Sequence, residues 1–396
     1  MRVLMLAYAF YETDTRILQY AEALTQRGAT VEVISLRKEG QPAEEVQRGV
    51  HVFRIQRRPY TEKSKASYLF PIMAFFFKSM WTVICRQSRA RYDVVHVHSV
   101  PDFLVFAACP AKWTGAKVIL DIHDLLPEFY SSKFNAREDS FIFKILVGIE
   151  RVSCSFADHV ILANHLWKDR VESRAHLKGK CSVFLNYPDS TLFQGQPRTR
   201  SDDKIQILFP GSLNWHQGVD IAIRAFAQIR DQVPEAEFHI HGEGGAKNSL
   251  IELVRQLGLE DCVLFHPFVP VEEIAPVMAN ADLAVVPKRK DSFGNEAFST
   301  KILEFMSLGV PVIVSDTKID RYYFNESVVR FFRGSDENDL AEAMLQLIRD
   351  PRLREQLVQN AAQFVTSFDW AKKKSEYFAL VDSLVSRQAC PAEVSP

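Results

Sequence analysis

Short, unbroken apolar runs separated by stretches of helical spacing recur along the whole chain, and this alternation restricts the fold more than any other feature. Residues 3–9 form the first run. Residues 14–27 then place Ile17, Leu18, Ala21 and Leu24 on one helical face and stop at Gly28. Residues 31–36 follow as the next strand, and 93–97 and 118–122 repeat the theme after further helical stretches. A strand with one wet face alternates apolar and polar residues, whereas a strand covered on both faces is apolar throughout. The pattern predicts parallel sheets with helices on both sides, an α/β architecture.

The alternation is interrupted once. Residues 186–204 are polar and rich in proline and glycine, as linkers are, and strand–helix alternation restarts beyond them at 205–209. Strands are predicted at 237–241, 262–265, 283–286 and 310–314, with helices at 218–231, 246–257 and 298–308. The 396 residues are enough for two or three domains. The organisation expected is an N-terminal domain over 1–190, a C-terminal one over 203–370, and a helical tail, 371–396, that can return to the first. Open α/β sheets bind ligands beyond the carboxyl ends of their strands, so two such sheets facing each other would place a ligand in the cleft between them.

An apolar fraction of 47 % with 24 % charged residues is ordinary for a globular protein with substantial cores. A formal net charge of −1 argues against nucleic acid as a partner. The six cysteines (85, 109, 154, 181, 262 and 390) show neither a C-x-x-C pair nor zinc spacing, and read as free thiols in a reducing compartment. The apolar N-terminus lacks a cleavage site, and Glu12 and Asp14 follow it closely, so it reads as a buried strand rather than a signal segment. Residues 68–85 carry a single charge, Lys78. They are flanked by Arg54, Arg57, Arg58, Lys63 and Lys65 before and Arg86, Arg89 and Arg91 after, opposed only by Glu62. Pro71 and Lys78 argue against a membrane span. A helix packed on the first sheet and an interfacial helix on an anionic membrane both fit, the second making 54–91 a membrane-contacting region.

The densest chemistry lies in Glu296-Ala-Phe-Ser-Thr-Lys-Ile-Leu-Glu304, followed by a glycine stop at Gly309 and an apolar strand. One carboxylate sits at a loop–helix junction and the other about two turns on. Between them lie the unpaired N–H groups of a helix start, which can hold a phosphate. Two carboxylates can each accept a pair of hydroxyl hydrogen bonds, so one stretch can grip a polyhydroxylated phosphorylated ligand.

This stretch resembles the E-x(7)-E signature of family-4 glycosyltransferases. Tyr187-Pro-Asp-Ser-Thr-Leu-Phe193, Phe209-Pro-Gly-Ser-Leu-Asn-Trp-His-Gln-Gly218, Phe268-Val-Pro270 and Ala281-Asp-Leu-Ala-Val-Val-Pro287 extend the resemblance over almost the whole chain. It implies the GT-B fold, two facing Rossmann-like domains with parallel sheets and an inter-domain cleft. It also implies transfer of a sugar, with retention of configuration, from a nucleotide diphosphate sugar to a saccharide or polyprenyl-linked acceptor, without a metal or other cofactor. Glu304 matches the glutamate that holds the ribose, and Glu296 the one beside the reacting carbon. A donor set of Gly211, Ser212, Gln217, Phe268, Val269, Phe298, Ser299, Thr300 and Lys301 follows from the same match. In Val118-Ile-Leu-Asp-Ile-His123, the strand-end His123 matches a histidine that reaches the donor sugar, with Asp124 and Glu128 as acceptor-side candidates. His96 and His98 read as core or strand-end residues.

The chain departs from the family in two places. Ser212 and Gln217 stand where many members carry Arg and Lys against the diphosphate. Lys301, the cluster Lys288-Arg289-Lys290 and the helix N-terminus are the alternative sources of positive charge, with Lys301 expected to carry most of the load. In the first loop, Phe10-Tyr-Glu-Thr-Asp-Thr-Arg16 replaces a glycine pair. Asp14 is placed to cap the next helix, and Arg16 to reach a phosphate or an acceptor. The expectation is a cytoplasmic transferase of cell-surface polysaccharide assembly, peripheral on the inner membrane face. A non-catalytic donor-binding partner and a nucleotide-sugar epimerase on the same fold are the alternatives.

Overall fold

The computed structural model describes residues 1–58, 65–134, 137–177, 179–291 and 293–386, the side chains at 65–68, 133–134 and 271–272 excepted. Glu62, Lys63, Cys390 and the tail beyond 386 lie outside the described residues, as does the side chain of Lys65. Two compact units emerge, one of Met1–Asn186 together with the chain from Ala371 onward, the other Tyr187–Trp370.

The first unit is built on eight strands: β1 (Arg2–Ala7), β2 (Thr30–Arg37), β3 (Glu44–Gln47), β4 (Val50–Arg57), β5 (Val94–Ser99), β6 (Lys117–Ile122), β7 (His159–Leu162) and β8 (Cys181–Val183). Their order is β3-β4-β2-β1-β5-β6-β7-β8. All pairs are parallel except the β3–β4 hairpin, which turns at Arg48 and Gly49, both at positive φ. In the centre Val3 lies opposite Val31 on one side and Val94 on the other. The C-terminal helix Trp370–Ser386 buries Tyr377, Val381 and Leu384. It is tied to the unit by the Tyr377 hydroxyl at 2.9 Å from His96 Nδ1 and by an Arg27–Asp382 ion pair of 2.6 Å.

The apolar segment 68–85 lies within one 23-residue helix, Lys65–Gln87, with Pro71 inside it. By length and composition the stretch Leu69–Gln87 is sufficient to cross a membrane. However, Ile72, Phe75, Ser79, Val83 and Gln87 recur at helical spacing and are buried, while Phe70, Phe77, Trp81 and Ile84 form an exposed stripe. The helix therefore has one packed face and one apolar exposed face.

The second unit carries β9 (Ile205–Pro210), β10 (Ala236–His241), β11 (Val263–His266), β12 (Leu283–Val286), β13 (Val312–Ser315) and β14 (Arg330–Phe332), in the order β11-β10-β9-β12-β13-β14. All five pairings are parallel. Ile207, Phe209, Phe238 and Ile240 face one core with Phe226, and Leu208, Val286 and Val312 face the other with Ile302, Leu303 and Phe305. Burial on both faces is why β12 and β13 read as apolar runs, whereas β10 alternates, with Glu237 and His239 half-buried. Each fully buried phenylalanine here contributes about 2–3 kcal/mol. Residues 187–202 are more than a linker: the short helix Ser190–Phe193 sinks Phe193 into the second core.

In this sheet the chain runs outward from β9 to β11, then returns to the other side of β9 at β12. The strand order reverses between β9 and β12, and ligands of open α/β sheets bind outside such a reversal. The loops that follow β9 and β12 are the segments carrying Gly211–Gln217 positions and Glu296. In the first unit the equivalent reversal falls between β1 and β5, with β6 and His123 next along.

Candidate active site

The loop after β12 is held rigidly. Lys288 is buried, donates to the carbonyl of Ala297 at 2.7 Å and pairs with buried Asp320 at 2.9 Å. Asn295 accepts the Lys318 N–H on its side chain at 2.9 Å and the Ile319 N–H on its carbonyl at 3.1 Å. The turn between them presents Glu296, mostly buried, with Lys318 Nζ at 3.9 Å from Oε1. The expectation that 288–290 supply charge to a diphosphate is corrected by these contacts. Lys288 neutralises Asp320, Arg289 pairs with Asp220 and stacks 3.5 Å over Trp215, and Lys290 pairs with Asp316 at 2.7 Å.

The next helix, Thr300–Ser307, starts after Ser299, whose side chain makes no capping bond. The Ile302 N–H bonds the Ser299 carbonyl at 3.3 Å, and the N–H groups of Thr300 and Lys301 precede the first helical bond. Phe298 packs its ring on Tyr323 and Phe324, so among the donor candidates it can offer a ligand only its backbone. Lys301 extends across the loop after β9. Its ammonium donates to Gln217 Oε1 at 3.2 Å and lies 4.8 Å over the Phe209 ring. It sits so close to Gly211 that a Cβ there would stand 2.5 Å from Nζ, and Gly211 itself has a φ of +144°. Burial, only partly offset by the charge of Glu304, brings Lys301 down to about 8. Burial likewise pushes Glu304 up to about 7, against the pull of Lys301. A cation at a helix N-terminus opposes the helix dipole. Lys301 is therefore a half-buried positive charge beside other partial positive charges, an arrangement that an anion would relieve.

Ser212 is exposed on the same loop. Gln217 also donates from Nε2 to His216 Nε2 at 3.0 Å, and Gly218 (φ +67°) closes against the Pro287 carbonyl. A second glycine loop, residues 242–245, went unmarked in the sequence reading. Gly242 packs on the Gly211 carbonyl and Gly244 on the backbone of Leu213, where any side chain would collide. Its signal was Gly-Glu-Gly-Gly directly after the strand Ala236–His241. Phe268 is exposed and Val269 half-buried in the loop after β11.

In the first unit His123 follows β6 and is half-buried. Its Nε2 lies 3.3 Å from Asp121 Oδ2 and 3.2 Å from His98 Nδ1, and its Nδ1 lies 3.8 Å from Asp14 Oδ2. Burial alone would lower its pKa, but the charge of Asp121, a hydrogen bond to it and Asp14 outweigh burial and raise it. His98 and His96 are lowered by burial. Asp121, fully buried and held well below the usual carboxylate range by Arg16 and His123, organises this cluster. The sequence reading passed over it, although an aspartate inside an apolar strand demands a partner. Asp14 caps the helix Thr15–Gln26 through Ile17 N–H at 3.2 Å. Asp124, beside His123, is raised by burial.

Two acceptor-side candidates are corrected. Arg16 is buried and bidentate on Asp121 at 2.7 and 2.8 Å, with further bonds to the Phe184 carbonyl and Asn186. Its donors are spent on the buried carboxylate. Glu128, 1 % exposed, pairs with Arg170 at 2.9 Å and with Arg174. It anchors the helix His165–Ala175 and is not presented to a ligand.

Residues 193–364 match the family model described as glycosyl transferases group 1, and residues 13–180 the glycosyl transferase 4-like domain. D-inositol 3-phosphate glycosyltransferase of Arthrobacter sp. (strain FB24) is 25 % identical, over 95 % of this chain and 92 % of its own. The solved sucrose-phosphate synthase of Thermosynechococcus elongatus aligns with a TM-score of 0.80 at 19 % identity, over 98 % of this chain and 99 % of its own. Anabaena Alr3699/HepE, solved in complex with UDP-glucose, aligns at 0.70 and 18 % identity, over 97 % and 100 %. With both halves matched, and with Glu296, Glu304 and the glycine loops at one end of a parallel sheet, the chain belongs to the group 1, family-4-like glycosyltransferases of GT-B fold.

Proposed function

We propose that this glycosyltransferase moves a hexosyl group, with retention, from a uridine diphosphate sugar to a saccharide or lipid-linked acceptor at a membrane surface. The observation that carries the reading is Lys301 laid over Gly211 at the start of the helix that bears Glu304. An ammonium, a run of helix N–H groups and a glycine that permits close approach are the components of a diphosphate site in which no side-chain arginine is needed. Glu304, one turn on, takes the ribose hydroxyls. Glu296 faces the donor sugar, where a carboxylate favours an oxocarbenium-like transition state. His123 holds a sugar hydroxyl, its tautomer and orientation set by Asp121. The leaving phosphate oxygen takes the proton of the incoming hydroxyl on the same face of the sugar. The uridine assignment rests on the neighbour solved with UDP-glucose.

The membrane part rests on the helix Lys65–Gln87. It exposes Phe70, Phe77, Trp81 and Ile84, and Trp81 also lines a groove with Arg37, Arg57, Lys78, Arg89 and Glu44, an apolar and largely basic surface that suits an anionic bilayer. The five described cysteines are free thiols, which agrees with a reducing compartment on the cytoplasmic side.

A thermal-shift panel of UDP-, GDP- and ADP-sugars tests the donor, since a ligand that binds the native state stabilises it in proportion to affinity. A UDP-sugar is expected to raise Tm most, and no shift from any UDP-sugar refutes the uridine assignment. Slow UDP release without acceptor separates transfer from mere donor binding. Co-sedimentation with phosphatidylglycerol vesicles tests the surface: Trp81→Ser together with Phe70→Ser should abolish it.

A further inference from the structure

Strands β10 and β11 carry three histidines for which donor binding provides no role. His239 and His241 are two apart on β10, so they share a face, opposite to Phe238 and Ile240, which fill the core. His266 on the edge strand β11 lies in register with His241. The three rings stack, with His239 and His266 centroids at 5.1 Å and His241 and His266 at 4.3 Å. One ring nitrogen from each lies within 4.8 Å of the others. His239 Nδ1 and His266 Nε2 are 3.0 Å apart.

Three further observations give this cluster the form of a ligand set. Glu237 Oε2 lies 3.1 Å from His239 Nε2. That carboxylate takes the Nε2–H, which leaves the Nδ1 lone pair directed at His266, the carboxylate–histidine arrangement that fixes a metal-ligating tautomer. His241 is nine-tenths buried, and its Nδ1 has no hydrogen-bond partner among the described residues. His239 and His266 are only half-buried, so the cluster is reachable from solvent. By contrast, the other histidine–carboxylate group, His96, His98 and Asp121, is completely enclosed, and both Asp121 oxygens are held by Arg16.

We propose that His239, His241 and His266 form a three-histidine site for a divalent transition metal, Zn2+ in preference to Mg2+ or Ca2+. Imidazole nitrogen is the donor such ions favour, and Mg2+ and Ca2+ prefer oxygen. Metal–nitrogen bonds of about 2.0–2.1 Å in a tetrahedron hold ligand nitrogens about 3.3 Å apart. His239 and His266 are already near that spacing, and a ring rotation brings in His241. A bound ion would replace the hydrogen bond between two rings with a cross-link from β10 to the edge strand β11. It would lie directly beneath the loops that begin at Gly242 and Pro267, whose strands are joined there by the Gly242 N–H on the His266 carbonyl at 3.3 Å.

The test is calorimetry and metal analysis on the full chain without an affinity tag, titrated with zinc chloride, cobalt chloride and magnesium chloride in turn. One Zn2+ per chain, a raised Tm, a visible cobalt spectrum of tetrahedral type and no response to magnesium are expected. His266→Asn and, separately, His241→Val should abolish the zinc response, with far-UV circular dichroism in EDTA unchanged. Glu237→Gln should weaken zinc affinity about 10–100-fold, because it acts only through the His239 tautomer. Absence of stoichiometric zinc binding, or binding unaltered in both folded histidine variants, would overturn the proposal. If one variant does not fold, the other and Glu237→Gln decide it.

Discussion

Replacing Lys301 by alanine tests the diphosphate site at its centre. Burial works against the charge of Lys301 and brings it down to about 8, so near pH 7.5 the ammonium is still the main form. A phosphate oxygen at about 4 Å from that charge, at an effective dielectric constant of about 20, gains about 4 kcal/mol. Completing the protonation costs only about 0.2 kcal/mol, so nearly all of this is available, and losing it should lower kcat by about 100- to 1,000-fold if the interaction is made mainly to the departing diphosphate. Gly211→Ala attacks the same charge from the other side, since its Cβ would stand 2.5 Å from Nζ. It should cost about tenfold by displacing the flexible ammonium. The pH profile adds a signature. Glu304 must be ionised to accept ribose hydroxyls and titrates at about 7. Hence kcat/KM for donor should rise through pH 7, fall beyond pH 8 and be narrow between. Lys301→Arg keeps its charge and should remove the alkaline limb. UDP release by a coupled assay, at saturating and at limiting donor, reads all three variants. Turnover of Lys301→Ala within about threefold of wild type at saturating donor would refute the reasoning.

Asp121→Asn leaves Arg16 buried without its counter-charge and should cost about 3–5 kcal/mol in urea unfolding. It should also lower the His123 pKa, which NMR titration reads directly. The sign of its pH dependence follows from the depressed Asp121 pKa: the pairing contributes stability above the unfolded value of about 3.9 and loses it as pH falls through the lower folded value. Glu304→Gln should behave in the opposite manner. The folded state holds a proton on Glu304 between its ordinary value and about 7, so ionising it costs stability as pH rises through that window. The glutamine variant should therefore be more stable than wild type above pH 7, by about 1–2 kcal/mol after allowance for solvent screening, yet bind donor at least tenfold more weakly by thermal shift. Glu128→Gln leaves Arg170 and Arg174 without their shared carboxylate. Its expected effect is a lower Tm with an unchanged KM for acceptor, and a raised acceptor KM at unaltered Tm would restore Glu128 as a ligand.

The sequence was most informative where one residue's environment is settled by its neighbours along the chain. The central strands of both sheets are covered on two faces, so β1 and β12 are unbroken apolar runs and β2, β5, β6 and β9 are mainly apolar. The hairpin β3–β4 was not legible for the converse reason. Glu44, Glu45 and Gln47 lie on a wet edge strand with no apolar face to reveal it. Glu296 and Glu304 could be placed because a loop, a helix start and a glycine stop bracket them within fourteen residues.

The errors have a different origin. Arg16 and Glu128 sit where ligand-binding charges would sit, and nothing near them in sequence consumes their charge. Their partners return from 105 residues away in one case, and 42 and 46 in the other. A charged residue is free for a ligand only if the fold has not already spent it, and that depends on long-range pairing. The same accounting selects Lys301. Four cations near the strand reversal were candidates in the sequence, with Lys301 expected to carry most of the load, and the fold assigns Asp320 to Lys288, Asp220 to Arg289 and Asp316 to Lys290. Lys301 keeps an amide, a glycine and the face of Phe209 beside it, with its own carboxylate neighbour partly protonated near neutrality. Substituting Ser212 and Gln217 for two cations therefore need not empty the site of charge. Gln217 accepts a hydrogen bond from the remaining cation and holds it over Gly211, whereas a lysine at 217 would repel it.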